Sequence, residues 1–113
     1  MKELLLTLSL ERMDELTAFV DDTLCQHGCP TTLRMQAEIL VEELYTAALY
    51  GRSEGPIKMS CIVKEDPVEV VLRLRSRSGP VTPELGDVHR LCREFPICFG
   101  GDNGVFTIGF PEN

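Results

Sequence analysis

The chain has 113 residues and a net charge of −7, with 43% apolar and 26% charged side chains. That length suits one domain, residues 1–113, around a single core, and the composition is globular rather than disordered. The acidic balance counts against non-specific nucleic-acid binding, which needs lysine and arginine to neutralise phosphate, and against an anionic membrane surface.

Leu4, Leu6 and Leu8 alternate with Glu3, Leu5 and Thr7, a period of two that predicts a strand. The apolar run is short and broken by Glu3, then followed by Glu11, Arg12 and Asp14. It fits neither a signal peptide nor a membrane span, so a cytoplasmic protein is expected. Ser9 is a candidate N-cap. Leu10, Met13, Leu16, Phe19, Val20 and Leu24 recur at helical spacing over residues 10–27. Gly28 stands where a helix end takes a left-handed residue, and Cys29-Pro30 breaks the chain. Thr31 or Thr32 is expected to cap a second helix, with Leu33, Ala37, Leu40, Leu44 and Ala48 as its buried stripe, widened by Ile39 and Val41. Gly51 ends it, and Arg52–Pro56 reads as a loop rich in breakers.

A hairpin follows. Ile57, Met59, Cys61 and Val63 form one face, Glu65-Asp66-Pro67 the turn, and Val68–Arg77 the returning strand, with Val70, Leu72 and Leu74 inward. Lys58, Lys64, Arg73, Arg75 and Arg77 fall on the other face as a positive stripe. It reads either as a solvated sheet face or as a patch for an acidic partner. Residues 78–83 form a loop, and Glu84–Glu94 a short helix carrying Leu85, Val88, Leu91 and Cys92 inward. Ile97–Phe99 and Val105–Phe110 flank a Gly100–Gly104 turn, with Phe106, Ile108 and Phe110 buried. Strand, helix, helix, hairpin, helix, hairpin predicts an α+β fold: a two-layer α/β sandwich on a mixed, mostly antiparallel sheet with its helices on one face.

The five cysteines, at irregular spacing, are no disulfide framework. Cys61 reads as a small buried hydrophobe. Cys25-Gln26-His27-Gly28-Cys29 has the only metal-like or redox-like spacing, but structural zinc sites take four ligands from two such pairs. A helix end is the plainer reading, with metal binding as its alternative.

The long second helix with VEELYTAALYG, the strand leading into SRSGPVTP, and LGDVHRLCREF before the last hairpin together resemble the GHKL-type ATPase fold, and within it the anti-sigma-factor serine kinases. The resemblance spans nearly the whole chain, and its motifs depart from the family pattern. The family's Glu-x-x-x-Asn places a general base and a metal-holding amide on one helix face. Here Glu43 keeps the base position, but the Asn position is Ala47, whose methyl group offers no oxygen to a hard cation. In the adenine-reading box, Ser76 stands at the Asp position and Ser78 at the Gly position. Val81 replaces the Phe, and Pro83 is kept. The family's phosphate-binding Gly-x-Gly becomes Glu84-Leu85-Gly86, and the long lid before it is missing. The resemblance therefore implies a non-catalytic regulatory domain acting through protein partners, such as a sigma factor or an anti-sigma antagonist, with no cofactor. The alternative is an ATP-binding serine kinase that keeps Glu43 as base and takes Mg-ATP through a rearranged loop at Ser76–Gly79. A ligand-free homodimer is also open, through the uncovered sheet face and Tyr45 and Tyr50 on the central helix.

Overall fold

The computed structural model describes residues 2–51 and 55–111. Of the Arg52–Pro56 loop, residues 52–54 lie outside the described residues. In chain order the elements are β1 (Lys2–Thr7), a 3-10 turn (Leu10–Arg12), α1 (Met13–Gln26), α2 (Thr31–Tyr50), β2 (Lys58–Lys64), β3 (Glu69–Ser76), β4 (Gly79–Pro80), α3 (Gly86–Cys92), β5 (Cys98–Asp102) and β6 (Val105–Gly109). The sheet runs β1-β2-β3-β6-β5. Every pairing is antiparallel, where the expectation allowed a mixed sheet. The second edge of β3 is shared. β6 runs along Glu69–Arg73, and the short β4 pairs at Arg75–Ser76. The fold is thus an α+β two-layer sandwich, and no helix among the described residues is long and apolar enough to cross a membrane.

Strand alternation sorts side chains as expected. Met59, Cys61 and Val63 on β2, Val70, Leu72 and Leu74 on β3, and Phe106 and Ile108 on β6 are all buried. They meet Leu16, Val20 and Leu24 of α1 and Ala37, Leu40, Val41, Leu44 and Ala48 of α2 in one core. Burying each larger aliphatic side chain contributes about 1.5–3 kcal/mol, so α2 is held mainly by its apolar face. Ile39, expected to widen that face, is 40% exposed.

Helix ends differ from the reading of the sequence. Leu10 is exposed, because residues 10–12 form a separate 3-10 turn that rotates it off the α1 stripe. The Ser9 side chain caps nothing. Instead its main chain is held by Tyr45, whose hydroxyl accepts from the Ser9 N–H at 2.9 Å and donates to the Ser9 carbonyl at 2.6 Å. The N-cap of α2 is Pro30, with neither threonine hydroxyl capping. Gly28 closes α1 as expected, at φ 75°. The Cys29 N–H reaches the Leu24 carbonyl and the Gly28 N–H the Cys25 carbonyl, the paired bonds of a Schellman end.

The C-terminal third is tighter than expected. Residues 78–83 are not all loop, since Gly79-Pro80 turns back as β4 against Arg75-Ser76. The third helix is shorter at both ends than Glu84–Glu94. Gly100 and Gly101 belong to β5, which leaves Asn103-Gly104 as a two-residue turn with φ 51° and 78°, the type I′ geometry that matches strand twist. A Cβ on Gly104 would lie 2.7 Å from the Leu74 carbonyl oxygen, so this position requires glycine.

Candidate functional site

Glu43 and Ala47 lie one turn apart on α2, and both are half-buried. Ser76 ends β3 and Ser78 sits in the turn to β4. Local bonds engage the Ser76 hydroxyl: its oxygen accepts from the Ser78 N–H at 3.2 Å and it donates toward the Gly79 carbonyl at 3.5 Å. The short hydroxyl thus closes its own turn. Only Val81–Leu85 separate β4 from α3, whose first residue is the exposed Gly86. These residues do not fit a magnesium-bound nucleotide. Ala47 offers no oxygen ligand, the Ser76 hydroxyl is in use, and the Val81–Leu85 link brings few backbone N–H groups to a triphosphate.

The larger concavity lies elsewhere. A groove of about 980 Å³ crosses the helix-free face of the sheet at the Thr7 end of β1. It is lined by Leu5, Thr7, Lys58, Arg73, Arg75 and Arg77, among others, and a smaller hollow beside it reaches Ser78. Glu43, Ala47 and Gly86 line neither. The structure therefore brings Ser76 together with the arginines of β3 and separates both from the α2 pair.

Register explains the groove. Thr7 stands opposite Lys58 and Lys58 opposite Arg75; in the next row on the same face, Leu5 stands opposite Ser60, Ser60 opposite Arg73 and Arg73 opposite Val105. The expected stripe is thus shorter than drawn from sequence. Lys64 faces Glu69 at the far end of the hairpin, because antiparallel pairing sends the two ends of β2 to opposite ends of β3. Arg77 is in the turn beyond β3. Lys58, Arg73, Arg75 and Arg77 make no ion pair among the described residues. Arg12, at the rim, is held by Glu15 at 3.0 Å, and that bond keeps the Glu15 carboxyl below its usual range. Apolar members of the same face escaped the sequence reading. Leu5 is 67% exposed and Val105 40%, whereas Val71, one row further along between Ile62 and Thr107, is buried. Their signal was the off-phase position in each alternating strand, which was noted for charge and not for hydrophobicity.

The cysteine cluster resolves as a helix end. His27 Nε2 turns to Glu65 at 3.4 Å. Burial pushes the Cys29 thiol up, the nearby Arg34 opposing, as expected for a thiol packed under a Schellman turn. No three His, Cys, Asp or Glu side chains among the described residues gather as a metal site. Arg34 joins α1 to α2 through Asp21 at 3.0 Å and the Cys29 carbonyl at 2.8 Å. Beside it Glu38 is held above the usual carboxylate range by burial, then by Asp21 and Glu42, with Arg34 opposing. Tyr45, offered by the sequence as a surface feature, is fully buried, and Tyr50 is exposed.

No protein-family model matches the chain, and no curated protein matches it significantly.

Proposed function

We propose that this chain is a non-catalytic regulatory domain of the cytoplasm that works by binding another protein, in the manner of an anti-sigma or partner-switching regulator whose GHKL-type nucleotide site has been lost. One observation carries the reading: the Ser76 hydroxyl, at the position of the adenine-reading carboxylate, is engaged with Ser78 and Gly79 in a tight hairpin. Ala47 and the five-residue link to α3 agree with it. If each lost interaction removes about 1–3 kcal/mol, three together weaken nucleotide binding by several orders of magnitude.

Thermal unfolding with and without Mg-ATP tests this. A ligand present at 100 times its dissociation constant stabilises a fold by about 2.7 kcal/mol, a shift of several degrees for a domain of this size. The expected result is no shift at millimolar Mg-ATP. A shift that disappears in Glu43→Gln would establish the kinase alternative instead.

A further inference from the structure

The helix-free face of the sheet carries a cluster of cations in one groove, which Glu3 also lines. Lys58 and Arg75 are direct cross-strand neighbours on that face, with Arg73 one row along and Arg77 just past the strand end. Like charges placed opposite each other destabilise a strand pair, and no carboxylate among the described residues neutralises these four. The folded protein therefore carries a local repulsion that a bound anion would relieve. In the row of Arg73, Val105 stands directly opposite it, with Asp102 beyond, and Leu5 lies on the other side across Ser60; Leu5 and Val105 are both substantially exposed. A free phosphate or nucleotide would use the charges and leave these two side chains in water. Nucleic acid and anionic membrane would use the charges too, but would set further phosphates or headgroups against the exposed Leu5 and Val105, which a segment that also carries aliphatic side chains covers. A second copy docking its acidic exterior here would form a heterologous contact that does not close on itself.

We infer that the groove over Lys58, Arg73, Arg75 and Arg77 is a docking site for an acidic protein segment whose carboxylates meet the four cations and whose apolar side chains cover Leu5 and Val105. An extended segment fits, because alternating side chains would set carboxylates and aliphatics down in successive rows of the sheet. The inference rests on the interaction reading of the preceding subsection and names the face and the partner chemistry.

The test is fluorescence anisotropy with a short labelled peptide in which glutamate alternates with isoleucine and valine. A lysine-for-glutamate version, a single-stranded oligonucleotide and phosphatidylserine–phosphatidylcholine vesicles are run beside it. Saturable binding of the glutamate peptide alone is expected, weakening with salt. It should fall by roughly tenfold or more (about 1.4 kcal/mol) in Arg73→Glu/Arg75→Glu and in the milder Arg73→Gln/Arg75→Gln, and persist in Arg90→Glu, a cation on α3 away from the groove. Circular dichroism of each variant establishes that it is folded. The inference is overturned by absence of glutamate-peptide binding, by equal binding to the variants, or by equal or tighter binding of the lysine peptide, oligonucleotide or vesicles. A wild-type dimer that the charge reversals dissociate would overturn it too, by making the occupant a second copy. Ser76 lines the groove, so the two failures are separated by variant: a nucleotide shift at the position beside α2 disappears in Glu43→Gln, outside the groove, and persists in Arg73→Gln/Arg75→Gln. A nucleotide shift with peptide binding intact removes the non-catalytic reading alone, and loss of peptide binding without a nucleotide shift removes the docking site alone.

Discussion

At the scale of single residues, the sharpest feature is Tyr45. Its ring is fully buried in the core, and its hydroxyl serves both main-chain groups of Ser9, 36 residues away. One phenol thereby fixes where the chain leaves β1 and enters the 3-10 turn. Tyr45→Phe keeps the ring and strands a donor and an acceptor, so it should lower stability by about 1–3 kcal/mol, measured by urea unfolding. Cys61 is a different kind of buried polar group. Burial pushes its thiol from 9.0 up to about 12. The folded chain keeps that proton while the unfolded chain loses it, so this contribution to stability is fully present below pH 9 and is lost as pH rises toward 12. The expected slope is at most about 1.4 kcal/mol per pH unit. In Cys61→Ala this part of the alkaline decline should be absent, although the variant starts less stable because of the cavity it leaves. The residue scale was also where reading from sequence was weakest. Ser9, and Thr31 or Thr32, have the residue type of a cap, yet no side-chain cap forms at either helix start. A cap depends on where the backbone N–H groups point, and that is settled by the turn geometry on either side.

Among the elements, the β2–β3 hairpin has one face in the core and the other in the cationic groove. Its inner side packs Met59, Cys61, Val70, Leu72 and Leu74 into the core, while its outer side opposes Lys58 to Arg75. Arg75→Glu turns a like-charged neighbour pair into an opposite one. It should stabilise the free protein by about 0.2–1 kcal/mol, read as a higher Tm at low salt that converges with wild type at high salt. The same substitution should weaken binding of the acidic peptide, the trade expected where a binding surface is kept at the expense of stability. Alternation was enough to place this hairpin, its inner face and its arginines. Alternation does not give register, and register removes Lys64 from the cationic group, sets Val105 opposite Arg73 and puts Leu5 across Ser60 from it. The last hairpin teaches the converse. A turn within Gly100–Gly104 is legible from its glycines and Asn103, and the structure narrows it to Asn103-Gly104, where two successive positive φ values are needed.

In the whole molecule, one antiparallel sheet carries helices on a single face, so its two sides have separate work. The helix side is committed to the core, and α2, with Glu43 and Ala47, belongs to it. The other side is left to solvent and holds the cationic groove. An acidic net charge and a local cationic site are compatible because Coulomb steering over a Debye length of about 8–10 Å responds to the nearby patch more than to the total.

By itself the sequence determined the fold class, the two long helices, the strand faces and most of the core. These depend on hydrophobic periodicity, a property of neighbours along the chain. It also determined that Ala47 cannot supply a metal ligand, since that is a matter of residue chemistry. Only the tertiary structure decided that the Ser76 hydroxyl closes its own turn, that Tyr45 is a buried strut rather than a surface feature, and that four cations converge on one groove with no ion-pair partner among the described residues. Each of these depends on which distant backbone or side chain lies within a few ångströms, and strand register and helix packing set that distance.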